Sequence, residues 1–424
     1  MTSIHRPPVP GRSFYGWRMV ALTGAMRFLV GGFHVFGFSV FFLPISRDLG
    51  LSRTATSLLF SLGRVEGALE APLLGHLIDR FGPRVAMMIG SLVIGAGYLL
   101  FAGAWGFIPL VLAYVFVVTP GSSAGFQHGT VALVNNWFVR RRAMAISIMS
   151  STIPLGGALL TPLLALAIYS LGWRWAAFLV GTAFLAIAFP LARMARNTPE
   201  SMGLVPDGEP VPADPVGRPV TSSPAEGQRQ EYSVRQALHT PALWILVVAT
   251  ILRQAGFSIV TVHFVPILVW KGLEERTAAL YVAPMSLLSV LAHWSLGWLA
   301  DRWSKPRILA LGTASGAIAL VILLYSGPGM VWLFLPFFVP VEALFPITWA
   351  TVGDFFGRRR FATLRGFMLT FILVGPITAP VFAGRVYDVT GSYTFALQVA
   401  VAALALSAAV FFLLRRPKPL RDQP

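Results

Sequence analysis

Long apolar stretches separated by short polar ones run through the whole chain. Runs of about 20 residues or more, enough for a helix to cross a bilayer, fall near 17–43, 55–78, 85–104, 107–134, 143–169 and 173–194. After a polar interval they resume at 241–269, 277–300, 307–326, 330–353, 362–384 and 393–414. The pattern predicts an all-α membrane protein of twelve transmembrane helices, six on each side of residues 195–238. That interval includes DGEPVPADPVGRPVTSSPAEG. A segment so rich in Pro, Gly, Ser and charge buries too little apolar surface to order itself. A cytoplasmic linker is therefore expected between an N-terminal bundle at 1–194 and a C-terminal bundle at 239–424. Arg6, Arg12 and Arg18 precede the first run as they would in a signal peptide. The run is far longer than a signal's core and no small-residue cleavage pattern follows, so it reads as a retained helix.

Composition agrees with the pattern. Of 424 residues, 56% are hydrophobic and 12% charged, against about 25% charged in a soluble protein. Cysteine is absent, which excludes disulfides, thiolate metal sites and cysteine nucleophiles. The formal net charge of +16 does not imply a nucleic-acid partner. The basic residues sit in short clusters between apolar runs, which is how topology is encoded. With the N-terminus in the cytoplasm, the inside segments carry roughly four times as many Lys and Arg as the outside loops, placing both termini inside. A multi-pass protein of the plasma membrane is expected, with the lipid bilayer as its surroundings.

The two halves repeat one another. GHLIDRFGPR (75–84) returns as GWLADRWSKPR (297–307), FFLPISRDLGLSRTA (41–55) as HFVPILVWKGLEERTA (263–278), and NNWFVRRR (135–142) as GDFFGRRR (353–360). Order and spacing hold across the half, so the bundles form a parallel internal repeat, a plan used by transporters that rock one bundle against the other. In the first motif Gly75 and Gly82 allow a close approach and a tight turn. Asp79, Arg80 and Arg84 can make charge-assisted bonds to a neighbouring helix end on the cytoplasmic side. Asp301, Arg302 and Arg307 stand at the matching places. The motif reads as a cytoplasmic gate, or else as turn and topology charges alone.

A charge at a helix centre costs roughly 2.5–3.5 kcal/mol on insertion scales, so each needs a reason. Arg27 falls in the first predicted helix, Arg64, Glu66 and Glu70 in the second, Arg253 in the seventh and Glu342 in the tenth, and Arg365 enters the eleventh. Glu66 and Glu70 are four apart and share a helix face. Paired carboxyl groups suit a proton carrier, and Arg27, at similar depth, is expected to neutralise them in a static ion cluster. Arg64 points away from Glu66 and needs its own partner. Arg253 and Glu342 both stand roughly 18 Å above the cytoplasmic helix ends, between Pro340 and Pro346 in the case of Glu342. His34, His128, His263 and His293 are the intramembrane histidines; a packed, hydrogen-bonded role competes with a functional one for each. TPGSSAGFQHG (119–129) supplies small residues for close packing. No spacing suggests a metal site. No nucleotide-binding motif or nucleophile–base pair is present, so neither a cofactor nor an enzyme is expected.

G-x-x-x-D-R-x-G-x-R after the second helix resembles the signature of the major facilitator superfamily. YGWRMVA (15–21), WFVRRRAMA (137–145), VHFVPI (262–267) and GPITAPVFAGRVYDVTGSY (375–393) resemble its monocarboxylate porter group. TPESMGLVPDG (198–208) is similar to a segment of bacterial oxalate:formate-antiporter-like relatives. The resemblance implies a bacterial inner-membrane protein, expected to be a monomer, in which helices 1, 4, 7 and 10 line a central cavity. Arg253 and Glu342 then form a candidate substrate site, with His293 nearby, while Glu66, Glu70, Arg27 and Glu342 are candidates for proton coupling. His263 is a candidate for an outer gate. The chain departs from the animal porters, whose helix 8 Arg and the Asp four residues before it align with about His293 and Ser289. Their helix 1 Lys aligns with about Phe36. The function implied is secondary active transport of a small organic anion, with a proton or in exchange for another anion. Efflux of amphipathic compounds, or a transporter-like receptor without flux, is the alternative.

Overall fold

A computed structural model describes residues 14–138, 141–208, 232–300, 302–357 and 361–417. Among them, eleven segments are long and apolar enough to cross a membrane. In chain order they are α1 (Gly16–Asp48), α3 (Pro83–Ala102), α4 (Phe107–Trp137), α5 (Met144–Leu171) and α6 (Trp173–Met194), then α7 (Pro241–Val262), α8 (Glu275–Ala300), α9 (Lys305–Tyr325), α10 (Pro328–Phe356), α11 (Leu364–Thr390) and α12 (Thr394–Phe412). Between α1 and α3 lies α2 (Arg53–Phe81), of 29 residues, whose length matches but whose Arg64, Glu66 and Glu70 lower its apolarity. The end of the bundle that carries Gly82 is called inner, following the distribution of basic residues, and the end that carries Arg53 outer.

Element ends follow local chemistry. Ser52 caps α2 by accepting from the Ala55 amide, and Gly82, at φ 81°, makes the turn into α3 that a side chain would strain. Pro83, Pro241 and Lys305–Pro306 begin helices at positions where a missing N–H is harmless. Exposed Trp105, Tyr325 and Trp332 suit a membrane–water boundary.

The ends of the interval 195–238 are docked, which composition did not predict. Asn197 Oδ1 accepts from the Arg84 amide at 2.8 Å. Trp137 Nε1 donates to the Arg196 carbonyl at 2.8 Å. At the other end the Tyr232 amide donates to the Phe356 carbonyl at 3.1 Å, and Val234–Leu238 is a short helix with a Ser233/Gln236 capping box. Local polar partners order these ends where hydrophobic burial would not.

Within the first half, α1 and α5 cross with backbones in contact. A Cβ on Gly156 would stand 2.0 Å from the Phe28 carbonyl oxygen, and one on Gly31 2.2 Å from that of Ile153. Neither neighbour is the movable tip of a side chain. Gly156→Leu is therefore expected to cost about 3 kcal/mol or more through overpacking, read as a lower midpoint of thermal unfolding in detergent. An unchanged midpoint would refute this account of the crossing.

Four stretches of π-helix interrupt the first half: Gly31–Val35 in α1, Tyr114–Val118 and Ser123–His128 in α4, and Phe184–Ala188 in α6. Such turns displace side chains from the regular helical stripe and occur frequently at functional sites.

Among the described residues, every hydrogen bond and ion pair between the two halves lies toward the outer end. Asp388 on α11 accepts from the Arg53 and Thr54 amides at 2.9 Å each and from Thr54 Oγ1 at 2.5 Å. Arg47 pairs with Glu275, and Tyr169 Oη donates to the Glu275 carbonyl at 3.4 Å. Further in, α5 meets α8 where a Cβ on Gly157 would be 2.6 Å from Ser286 Oγ.

Candidate functional site

The outer seal contains a histidine. His263 is fully buried, at the junction between α7 and the short helix Phe264–Trp270. Its Nε2 lies 2.9 Å from the Pro380 carbonyl oxygen and 2.9 Å from Ser57 Oγ. A carbonyl only accepts, so in the neutral ring Nε2 bears the hydrogen and Nδ1 accepts from Tyr393 Oη at 2.9 Å. Phe42 of the first half packs on the same ring, centroids 4.9 Å apart. His263 thus ties α2 and α1 to α11 and to Tyr393, the N-cap of α12.

The buried arginines of the two halves are held alike. Arg27 on α1 donates from Nε to the Phe126 carbonyl at 3.1 Å and to Thr130 Oγ1 at 3.0 Å. Its Nη2 reaches the Gln127 carbonyl at 3.2 Å, and its Nη1 reaches Ser150 Oγ at 3.3 Å. The π-turn Ser123–His128 brings those carbonyls out of the regular ladder. Arg253 on α7 is fully buried and donates to the Val341 carbonyl at 2.8 Å and Thr348 Oγ1 at 3.5 Å. In each case the first helix of a half is tied to its fourth.

The Arg27 pairing expected from helix depth is absent as a result, and the Arg253–Glu342 site is not assembled. Arg27 is used up on α4 and α5 and does not neutralise Glu66 or Glu70. Arg253 and Glu342 stand at one depth but form no ion pair, because Arg253 turns into the α7–α10 contact. Glu342 Oε2 instead accepts from Ser289 Oγ on α8 at 2.7 Å. His293, one turn along, places Nδ1 2.8 Å from the Ser289 carbonyl. Glu342 and His293 are brought together through Ser289, and Arg253 is left outside the cluster.

Glu66 and Glu70, one turn apart on one face of α2, lie within electrostatic range of each other. Glu66 Oε2 and Glu70 Oε1 are buried and find no protein donor. A carboxylate only accepts, so a bond between the two requires one proton held in common. His128 on α4 lies within electrostatic range of Glu70, and also of Arg365, which comes from the other half. Arg365 lies 5.1 Å over the Trp349 ring and has no carboxylate within 4.0 Å among the described residues.

Arg64 is the cation that sequence reasoning left without a partner, and no acid among the described residues pairs with it. Its guanidinium lies 4.8 Å over the Phe60 ring, with His34 and Tyr114 in electrostatic range. The side chain is exposed although it belongs to the interior of α2.

The described residues include only part of the inner motif. Gly75 and Asp79 lie within α2, but their side-chain surroundings, like Asp301, fall outside the described residues. Arg84 Nη2 donates to the Arg193 carbonyl at 2.7 Å. Arg80 stacks on Phe81 at 5.3 Å and Arg302 on Trp298 at 3.9 Å, while Arg307 is exposed. Each described contact stays within its own half.

A bundle of membrane-length helices, whose halves are tied at one end and hold ionisable groups between them, defines a polytopic membrane transporter. The chain belongs to the Major Facilitator Superfamily, whose sequence profile matches residues 21–351. Monocarboxylate transporter 13 of Bos taurus is 26% identical over 412 residues, covering 96% of this chain and 90% of its own. Monocarboxylate transporter 2 of Homo sapiens is 22% identical over 423 residues, with coverage of 97% and 87%. In fold, the chain is similar to a bacterial homolog of the human lysosomal transporter Spinster in an inward-facing and occupied conformation, with a TM-score of 0.72 at 18% identity over 95% of this chain and 97% of that one.

Proposed function

We propose that the protein is a secondary active transporter that carries a small, monocarboxylate-like organic anion by alternating access, with a proton or in exchange for another anion. The observation that carries this reading is the distribution of contacts and charge between the halves. All described polar bonds between them lie toward the outer end, whereas Arg64 and Arg365 are exposed within the helices and pair with no carboxylate among the described residues. Unpaired cations in a protein-walled cleft draw anions to it. The similarity to monocarboxylate transporters favours a carboxylate as that anion. The paired carboxyls of Glu66 and Glu70 offer a place for the coupled proton, and His263 with its partners serves as the outer gate. In the opposite state, the inner motif around Asp79 and its second copy would close the cytoplasmic side.

The test is uptake of labelled lactate, pyruvate, formate, oxalate and benzoate into proteoliposomes, with and without an imposed pH gradient. Saturable uptake of at least one carboxylate is expected. Arg253→Met is expected to leave half-saturation within about threefold of wild type, since a side chain sealed away from the solute couples weakly to it. Flux of amphipathic compounds with none of the carboxylates would replace the reading with efflux, and binding without flux would replace it with a receptor.

A further inference from the structure

Arg64 differs from the other arginines inside the helices. Arg27 gives its N–H groups to carbonyls and hydroxyls, and Arg253 gives Nη1 and Nη2 to Val341 and Thr348 while its Nε stays buried without a partner. Arg64 makes no hydrogen bond among the described residues and no ion pair, yet it stands 11 residues into α2, about 16 Å from its outer end at 1.5 Å per residue. An ionised group at such depth marks a functional site by default.

Its direction follows from helical spacing. Ser57, Ser61 and Arg64 are related by four and then three residues and share one face of α2. Ser57 on that face touches His263 of the other half, so Arg64 points at the space between the halves, two turns below the outer seal. Ser61, one turn above Arg64, is 2% exposed and its hydroxyl has no partner. Stacking on Phe60 covers one face of the guanidinium and leaves its in-plane N–H groups free, the arrangement that takes a carboxylate through two parallel bonds. The wall behind is aromatic: His34 and Tyr114 rings are 5.7 Å apart, and Phe38 lies 5.1 Å from Phe60 and 5.5 Å from Tyr114. His34 belongs to the π-turn of α1 and Tyr114 opens the first π-turn of α4, so two interruptions of regular helix converge on this point.

We propose that Arg64 binds the carboxylate of the transported anion, with the Ser61 hydroxyl as an added donor and the aromatic wall against the solute's apolar part. The assignment rests on the organic-anion reading above and deepens it. It also explains how the chain carries a carboxylate with Ser289, His293 and Phe36 where the animal porters have charged residues: the cation comes from α2.

The test measures half-saturation in proteoliposomes for the five carboxylates above and competition by lactamide, an uncharged analogue of lactate. Arg64→Gln is expected to raise half-saturation about 100-fold, the scale of losing one partner of a desolvated charge pair, while leaving competition by lactamide unchanged. Arg64→Lys keeps the charge but not the planar fork and is expected to lose about 10-fold. If Arg64→Gln does not fold, as judged by thermal melting, Arg64→Lys and Ser61→Ala decide: raised half-saturation in both supports the site, and wild-type values in both overturn it. Wild-type half-saturation in a folded Arg64→Gln, or equal loss for lactate and lactamide, overturns the assignment and leaves the anion reading intact. Absence of carboxylate flux in the wild-type protein overturns the anion reading and this assignment with it.

Discussion

Replacing both Glu66 and Glu70 by Gln is expected to abolish accumulation driven by a pH gradient. The two carboxyl groups share one face of α2 a turn apart, and Glu66 Oε2 and Glu70 Oε1 are buried without a donor among the described residues, so a bound proton would relieve their repulsion. Among the described residues no arginine pairs with either, and Arg27 is committed to Phe126, Gln127 and Thr130. A gradient of about one pH unit is worth about 1.4 kcal/mol per proton, enough for tenfold accumulation of an anion carried with one proton. Wild-type protein in vesicles should approach that ratio, and the double variant should stop near equal concentrations inside and out. Either single variant keeps one carboxyl group and should retain part of the effect. Full accumulation in the double variant would reduce the pair to a structural contact and move the coupling to Glu342, whose carboxylate meets Ser289. Gln is nearly isosteric and supplies its own donor, so the variant should remain folded.

The second large effect is expected at the outer seal. Asp388 reaches across from α11 to the first turn of α2, where it accepts from two backbone amides and one hydroxyl. A carboxylate at a helix N-terminus is favoured both by the unpaired amides and by the helix dipole. Hydrogen bonds to a charged acceptor are worth about 1.5–3 kcal/mol, so Asp388→Ala should shift the balance of states away from this one by about 10-fold or more. The absence of cysteine from the chain makes the shift measurable without prior engineering. With a reporter at Ser61→Cys, a membrane-impermeant thiol reagent added outside should react at least about 10-fold faster when Asp388→Ala is also present. Equal rates would mean that Arg47–Glu275 and the His263 contacts hold the seal unaided. Arg53, whose guanidinium stacks on Tyr387 at 4.8 Å, remains in place in the variant and limits how far the seal loosens.

Much of the architecture was legible before any coordinates. A run of 20 apolar residues satisfies its backbone only as a helix once it enters lipid, so length and hydropathy place the spans. The duplicated GHLIDRFGPR and GWLADRWSKPR segments place each half in register with the other. Charged residues inside spans are equally visible, since composition alone makes them exceptions. Their partners were another matter. Spacing along a helix gives depth and relative face, but not which neighbouring helix a face meets or where a flexible side chain turns. Arg253 and Glu342 share a depth, and only packing turned Arg253 into Val341 and Thr348 and sent Glu342 to Ser289.

The case of Arg64 shows the same division. Its charge and its separation from Glu66 could be read from α2 alone. That it stays unpaired could not, because the statement concerns every neighbouring helix at once. The π-turns that bring His34 and Tyr114 beside it depend on one extra residue per turn, which leaves little trace in an apolar stretch. Sequence by itself determined the membrane spans, the repeat and the list of charges in need of a reason, since these follow from local hydrophobicity and order along the chain. Tertiary structure decided which charges are sealed into helix contacts and which face open space, because lateral packing alone consumes or spares a side chain's donors.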